Sequence, residues 1–131
     1  MDEKKRISIE RWFIKAENDL ETATRALKYE PRITDTACFH AQQVAEKALK
    51  AFLVFMDYEV EKTHDIVKLI NACVEKDASF EGFRETLKGL TRYAIVERYP
   101  DDWREILLDE AQSAVKKAEE CMVFVKGKIK W

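Results

Sequence analysis

Apolar residues return at three- and four-residue steps through most of this chain. Ile9, Trp12, Phe13, Ala16, Leu20, Ala23 and Leu27 form one stripe, which predicts an amphipathic helix from about Ile9 to Tyr29 with Ser8 as its N-cap. The segment "EPRITD" interrupts, and Ala37, Ala41, Val44, Ala45, Ala48, Phe52 and Phe55 then predict a second helix from about Asp35 to Asp57. Thr63 is placed to cap a third helix carrying Ile66, Val67, Leu69, Ile70, Cys73 and Val74, with Asp65 in the first turn where the helix dipole favours a carboxylate. Ser79 opens a fourth helix on Phe80, Phe83, Leu87, Leu90 and Ala94, which stops near "ERYPD" because the residue before a proline is driven out of the α region. Asp102 and Glu105 form a D-x-x-E capping box for a last helix with Leu107, Ala111, Ala114, Ala118, Met122 and Val125 inside. Links this short favour antiparallel neighbours, so the expected fold is all-α, a five-helix up-and-down antiparallel bundle spanning residues 1–131 as one domain. The tail "KGKIKW" is expected to fray, with Trp131 available to dock on the bundle.

Composition agrees with this pattern. Three glycines and two prolines leave few residues for hairpin turns, and 131 residues with 47% hydrophobic content suffice for a single core. Twenty-three basic side chains against 25 acidic ones give a net charge of −2, which argues against non-specific nucleic-acid binding but leaves room for one small cationic pocket. Cys38, Cys73 and Cys121 are odd in number, widely spaced and free of any CxxC pair, so they read as buried reduced thiols and not as a metal site. The longest purely apolar run, "AFLVFM", is far short of a membrane span, and "MDEKKRISIERW" has no signal-type apolar region. The expectation is a cytoplasmic protein with no membrane contact, no metal and no cofactor.

Chemistry concentrates on the second helix. At 100° per residue, His40, Gln43, Lys47 and Lys50 share a polar flank beside its core stripe, placed to meet one ligand. Glu46 and Lys50 form an i,i+4 pair, which on a solvated face would contribute little. Phe39, Leu53 and Val54 lie off the stripe, so a further surface is expected to cover that side, a dimer contact being one way. Arg98 and Tyr99, where the chain turns at a helix end, combine a guanidinium with an aromatic ring and suit phosphate and base recognition.

Four segments in order, "WFIKAENDLETATRAL", "CFHAQQVAEKALKAFL", "KTHDIVKLI" and "RYPD", resemble the HEPN domain family of higher eukaryotes and prokaryotes over almost the whole chain. The resemblance implies a five-helix bundle, usually a homodimer, often encoded beside a minimal nucleotidyltransferase. It further implies ties to nucleotide binding, to toxin–antitoxin pairs and, in some branches, to RNA cleavage. The cleaving branches carry an Arg followed a few residues later by His. Here Arg92 leads to Val96, Glu97 and Arg98, and Arg98 leads to Asp102, Trp103 and Arg104, while the only histidines, His40 and His64, lie upstream. Metal-independent RNA cleavage needs a base for the ribose hydroxyl and an acid for the leaving oxygen, and His is the commonest residue for both near neutral pH. The expected function is therefore a homodimeric nucleotide or single-stranded RNA-binding module, with His40, Gln43, Lys47, Lys50, Arg98 and Tyr99 as its site and a nucleotidyltransferase as partner. The alternative is an atypical RNase toxin using Arg98 and His64.

Overall fold

The structure, a computed structural model, describes residues 1–94 and 103–131. It is all-α, a five-helix bundle: α1 (Glu3–Lys28), α2 (Thr34–Phe55), α3 (Ile66–Lys76), a 3₁₀ turn (Ala78–Phe83), α4 (Arg84–Lys88), a second 3₁₀ turn (Thr91–Tyr93) and α5 (Leu108–Lys128). Asp19 on α1 meets His40 on α2, and Lys5 meets Asp57, so α1 and α2 run antiparallel, as the short link between them requires. Lys126 on α5 pairs with Glu17, and Arg6 lies 5.9 Å from the Trp131 ring, so α5 is also antiparallel to α1 and runs alongside α2.

α2 is the central element, packed against α1, α3 and α5. Its expected stripe of Ala37, Ala41, Val44, Ala45, Ala48 and Phe52 is buried throughout. Small alanines let neighbouring backbones come close, and the volume is supplied by an aromatic cluster in which Phe80 lies 4.4 Å from Phe52 and 5.0 Å from Phe124, centroid to centroid. Leu53, expected to face a second copy, is fully buried inside the single chain, while Phe39 and Val54 remain half-buried.

Several boundaries differ from expectation, each for a local reason. α1 begins at Glu3 and not beyond Ser8, because Asp2 Oδ1 accepts from the Lys5 N–H at 2.7 Å and caps a first turn that lies ahead of the apolar stripe. α3 is capped by Asp65, which accepts from Val67 and Lys68, while Thr63 Oγ1 accepts from the Asp65 N–H instead. This shift leaves His64 just outside the helix. The fourth helix is broken into a 3₁₀ turn, α4 and a second 3₁₀ turn: Phe80 and Phe83 are an i,i+3 pair that eclipses on the first 3₁₀ turn, and Gly89 closes α4. Its cap is Asp77, whose Oδ1 accepts from both the N–H and the hydroxyl of Ser79. α5 starts at Leu108 with no side-chain cap, later than the proposed box; Asp102 lies outside the described residues, and Glu105 precedes the helix. The basic tail is anchored, because Lys128 still belongs to α5 and pairs with Asp77, and Ile129 is buried. Trp131 docks only in part, beside Phe13, Ile14 and Lys126, with 58% of it exposed.

Candidate functional site

The polar flank of α2 lies between α1 and the turn that carries His64. On the α1 side, Asp19 is buried and its two oxygens take His40 Nδ1 at 2.7 Å and the Lys47 ammonium. On the other side, Glu46, 1% exposed, meets His64 Nδ1 at 2.9 Å through one oxygen and Lys50 Nζ at 3.9 Å through the other. Gln42, fully buried, accepts from Gln43 Nε2 and donates over 3.5 Å to the His64 carbonyl. The Lys50 ammonium stands 5.3 Å from the centre of the Trp12 ring. No buried side-chain nitrogen or oxygen among the described residues lacks a partner. A buried carboxylate is costly unless it is paired and hydrogen-bonded, and both Asp19 and Glu46 meet that condition.

The electrostatics follow from these pairings. Burial pulls the Lys50 ammonium below its ordinary range; Glu46 opposes the shift and Lys47 adds to it. Two lysines face two carboxylates, so the flank is more nearly neutral than its lysines alone suggest. A carboxylate oxygen can only accept, so each imidazole donates through Nδ1 and turns its Nε2 away from the carboxylate. His64 combines this fixed orientation with a side chain 79% exposed, against 27% for His40. Of the two, His64 is the more accessible to a ligand.

The structure brings His40, Gln43, Lys47 and Lys50 together on one flank and adds His64 across Glu46. Arg98 and Tyr99 lie outside the described residues. The sequence reading missed Asp19 and Trp12 and took Glu46 for a solvated partner. Asp19 carried a signal: it stands three residues after Ala16 and four before Ala23, a carboxylate at a core-facing step of the α1 stripe.

A second polar cluster joins the far end of the bundle. The Arg104 guanidinium donates to both oxygens of Glu110 at 2.8 Å, and the Tyr93 hydroxyl donates to the same carboxylate. The Arg104 hydrogen bonds, reinforced by Tyr93, hold the Glu110 carboxyl down at about 2 against an ordinary 4.5. Burial, then the hydrogen bond to Glu110, pushes the Tyr93 hydroxyl up. The three cysteines are buried free thiols, and burial raises Cys38 to about 11 and Cys121 to about 12. Among the described residues no group of three or more His, Cys, Asp or Glu could hold a metal ion, and no helix is long and apolar enough to cross a membrane.

The architecture is therefore that of an all-α bundle with a carboxylate-braced polar flank on its central helix. The HEPN domain model matches residues 9–128, and the chain belongs to the HEPN domain family. Two solved structures are similar to it. One is ST0689, an archaeal HEPN homologue, at 30% identity and a TM-score of 0.73, covering 93% of this chain and 98% of its own. The other is TT1696 from Thermus thermophilus, at 30% identity and a TM-score of 0.75, covering 92% of this chain and 98% of its own. No curated protein gives a significant match.

Proposed function

We propose that this chain is a homodimeric nucleotide- or single-stranded RNA-binding module, paired with a minimal nucleotidyltransferase in a toxin–antitoxin-type system, and that it binds without cleaving. The observation that carries the binding reading is the α2 flank. Two buried carboxylates hold His40, Lys47 and His64 in fixed positions from opposite sides, an arrangement in which little side-chain entropy remains to be lost when a ligand is met. Absence of the Arg–His spacing supports the non-cleaving part. Arg98 and Tyr99 complete the proposed site as phosphate and base contacts.

One feature favours a second reading, an RNase that uses Arg98 with His64. An exposed imidazole held by a buried carboxylate, with Nε2 turned away from that carboxylate, is suited to proton transfer. A single assay separates the two: labelled single-stranded RNA incubated with purified protein in EDTA, with His64→Ala and Arg98→Ala as controls and circular dichroism to confirm folding. Retained, intact RNA supports the binding module. Degradation lost in both variants establishes the nuclease. Neither retention nor degradation removes RNA as the ligand and leaves the nucleotide and protein-docking versions to be tested by calorimetry.

A further inference from the structure

Along the outer side of α1, Lys4, Arg11 and Lys15 stand at steps that place them on one stripe, with Ser8 between them. All three cations are exposed, and none makes a hydrogen bond or ion pair among the described residues. The rest of α1 differs: Arg6 is paired with Glu10, and Arg25 with Glu21, each four residues away. From Lys4 to Lys15 the stripe carries no acid, and Asp19, four residues after Lys15, is buried and paired with His40 and Lys47 instead. With one carboxylate, Glu3, at its edge, the three bases leave a local excess of positive charge on a chain whose net charge is −2. The half-buried Trp12 lies on the same open face of α1. The Lys50 ammonium, buried and paired with Glu46, stands against the indole.

We propose that this α1 stripe is a tracking surface for the phosphate backbone of single-stranded RNA, with Trp12 as the stacking platform for one base. From Lys4 to Lys15 the helix rises about 16 Å, room for a short run of nucleotides. Unpaired cations seven and four residues apart on one helix face neutralise phosphates, and an indole beside them accepts any base by its face, which gives binding without sequence preference. An acidic protein segment would use the same charges but would have no need of the ring. The inference rests on the proposed binding function and locates its principal contacts on α1, ahead of the α2 flank.

The test is fluorescence anisotropy with a labelled oligouridine 12-mer at several salt concentrations. The proteins are the wild type, the triple variant Lys4→Ala/Arg11→Ala/Lys15→Ala, Trp12→Phe, Trp12→Ala and Arg98→Ala, with light scattering on each. Three phosphate contacts predict a slope of log affinity against log salt of about −2 in the wild type, which the triple variant flattens by about the same amount while losing tenfold or more in affinity. Trp12→Ala loses about fivefold or more with the slope intact, and Trp12→Phe, which keeps a ring in the same packing, retains most of the affinity. A triple variant that binds like wild type while Arg98→Ala does not would overturn this site and leave the binding function standing on Arg98. A triple variant that changes the oligomeric state would overturn it by making α1 a protein interface. No binding by the wild type would overturn both this site and the RNA reading it rests on.

Discussion

Glu46 shows how far a single side chain departs from what its spacing suggests. An i,i+4 partner of Lys50 on a solvated helix contributes a few tenths of a kcal/mol, but a carboxylate that is 1% exposed is a different object. Removing it strands Lys50 beside Lys47. Glu46→Ala should therefore cost about 3–5 kcal/mol in urea unfolding, whereas the paired replacement Glu46→Leu/Lys50→Met should come close to neutral, since well-packed apolar groups do as well as a buried ion pair. A second residue-scale test concerns Asp57, which holds φ at 59° to end α2. Its N–H donates to the Val54 carbonyl and that of Tyr58 donates to Leu53, the pattern of a helix end closed through one left-handed residue. A β-branched side chain is strained there, so Asp57→Val should lose about 1–2 kcal/mol where Asp57→Gly loses little, the Lys5 pair being exposed on the Asp57 side. The Asp57 closure is local, made within residues 53–58, but the burial of Glu46 depends on where the His64 turn comes to rest.

Among the elements, hydrophobic periodicity located the helices but not their ends or continuity. The central stripe of α2 was fully legible, because Ala37, Ala41, Val44, Ala45 and Ala48 can only mean a face pressed against neighbours. Helix starts were less so, since capping depends on which of several adjacent Asp, Ser or Thr residues reaches the free N–H groups; Asp2 and Asp65 won over Ser8 and Thr63. The broken fourth helix hid behind i,i+3 spacing that fits α and 3₁₀ equally. Phe80 ties that segment to α2 and α5, so Phe80→Ala should destabilise the fold by about 3–5 kcal/mol in a denaturant titration. The junction into α5 carries a pH dependence. The Glu110 carboxyl is held at about 2, below its ordinary 4.5, so its contribution to stability is complete above about pH 4.5 and is lost as the pH falls toward 2. Melting temperatures measured from pH 6 to 2 should fall less steeply in Glu110→Gln than in wild type.

The molecule as a whole is a HEPN-family bundle whose polar residues pair largely with one another. Asp19 and Glu46 bind α1, α2 and the α3 turn together and leave the His64 imidazole exposed on that flank, while, among the described residues, Lys4, Arg11 and Lys15 stand unpaired on α1. Half-buried Phe39 and Val54 keep a dimer contact in view, although Leu53 no longer supports it. Light scattering at micromolar concentration should give twice the monomer mass, and a monomer would remove the homodimeric part of the proposal. The family was legible in the sequence because four segments kept their order and spacing. The site was legible only in part, because Glu46 looks like a surface residue until the helices are packed. The most direct test of the account is a titration of the intact wild-type protein with single-stranded RNA in EDTA, followed at two salt concentrations with the RNA recovered and sized afterwards. Salt-sensitive binding that leaves the RNA whole is the expected result; RNA that is cut, or not bound at either salt concentration, would contradict it.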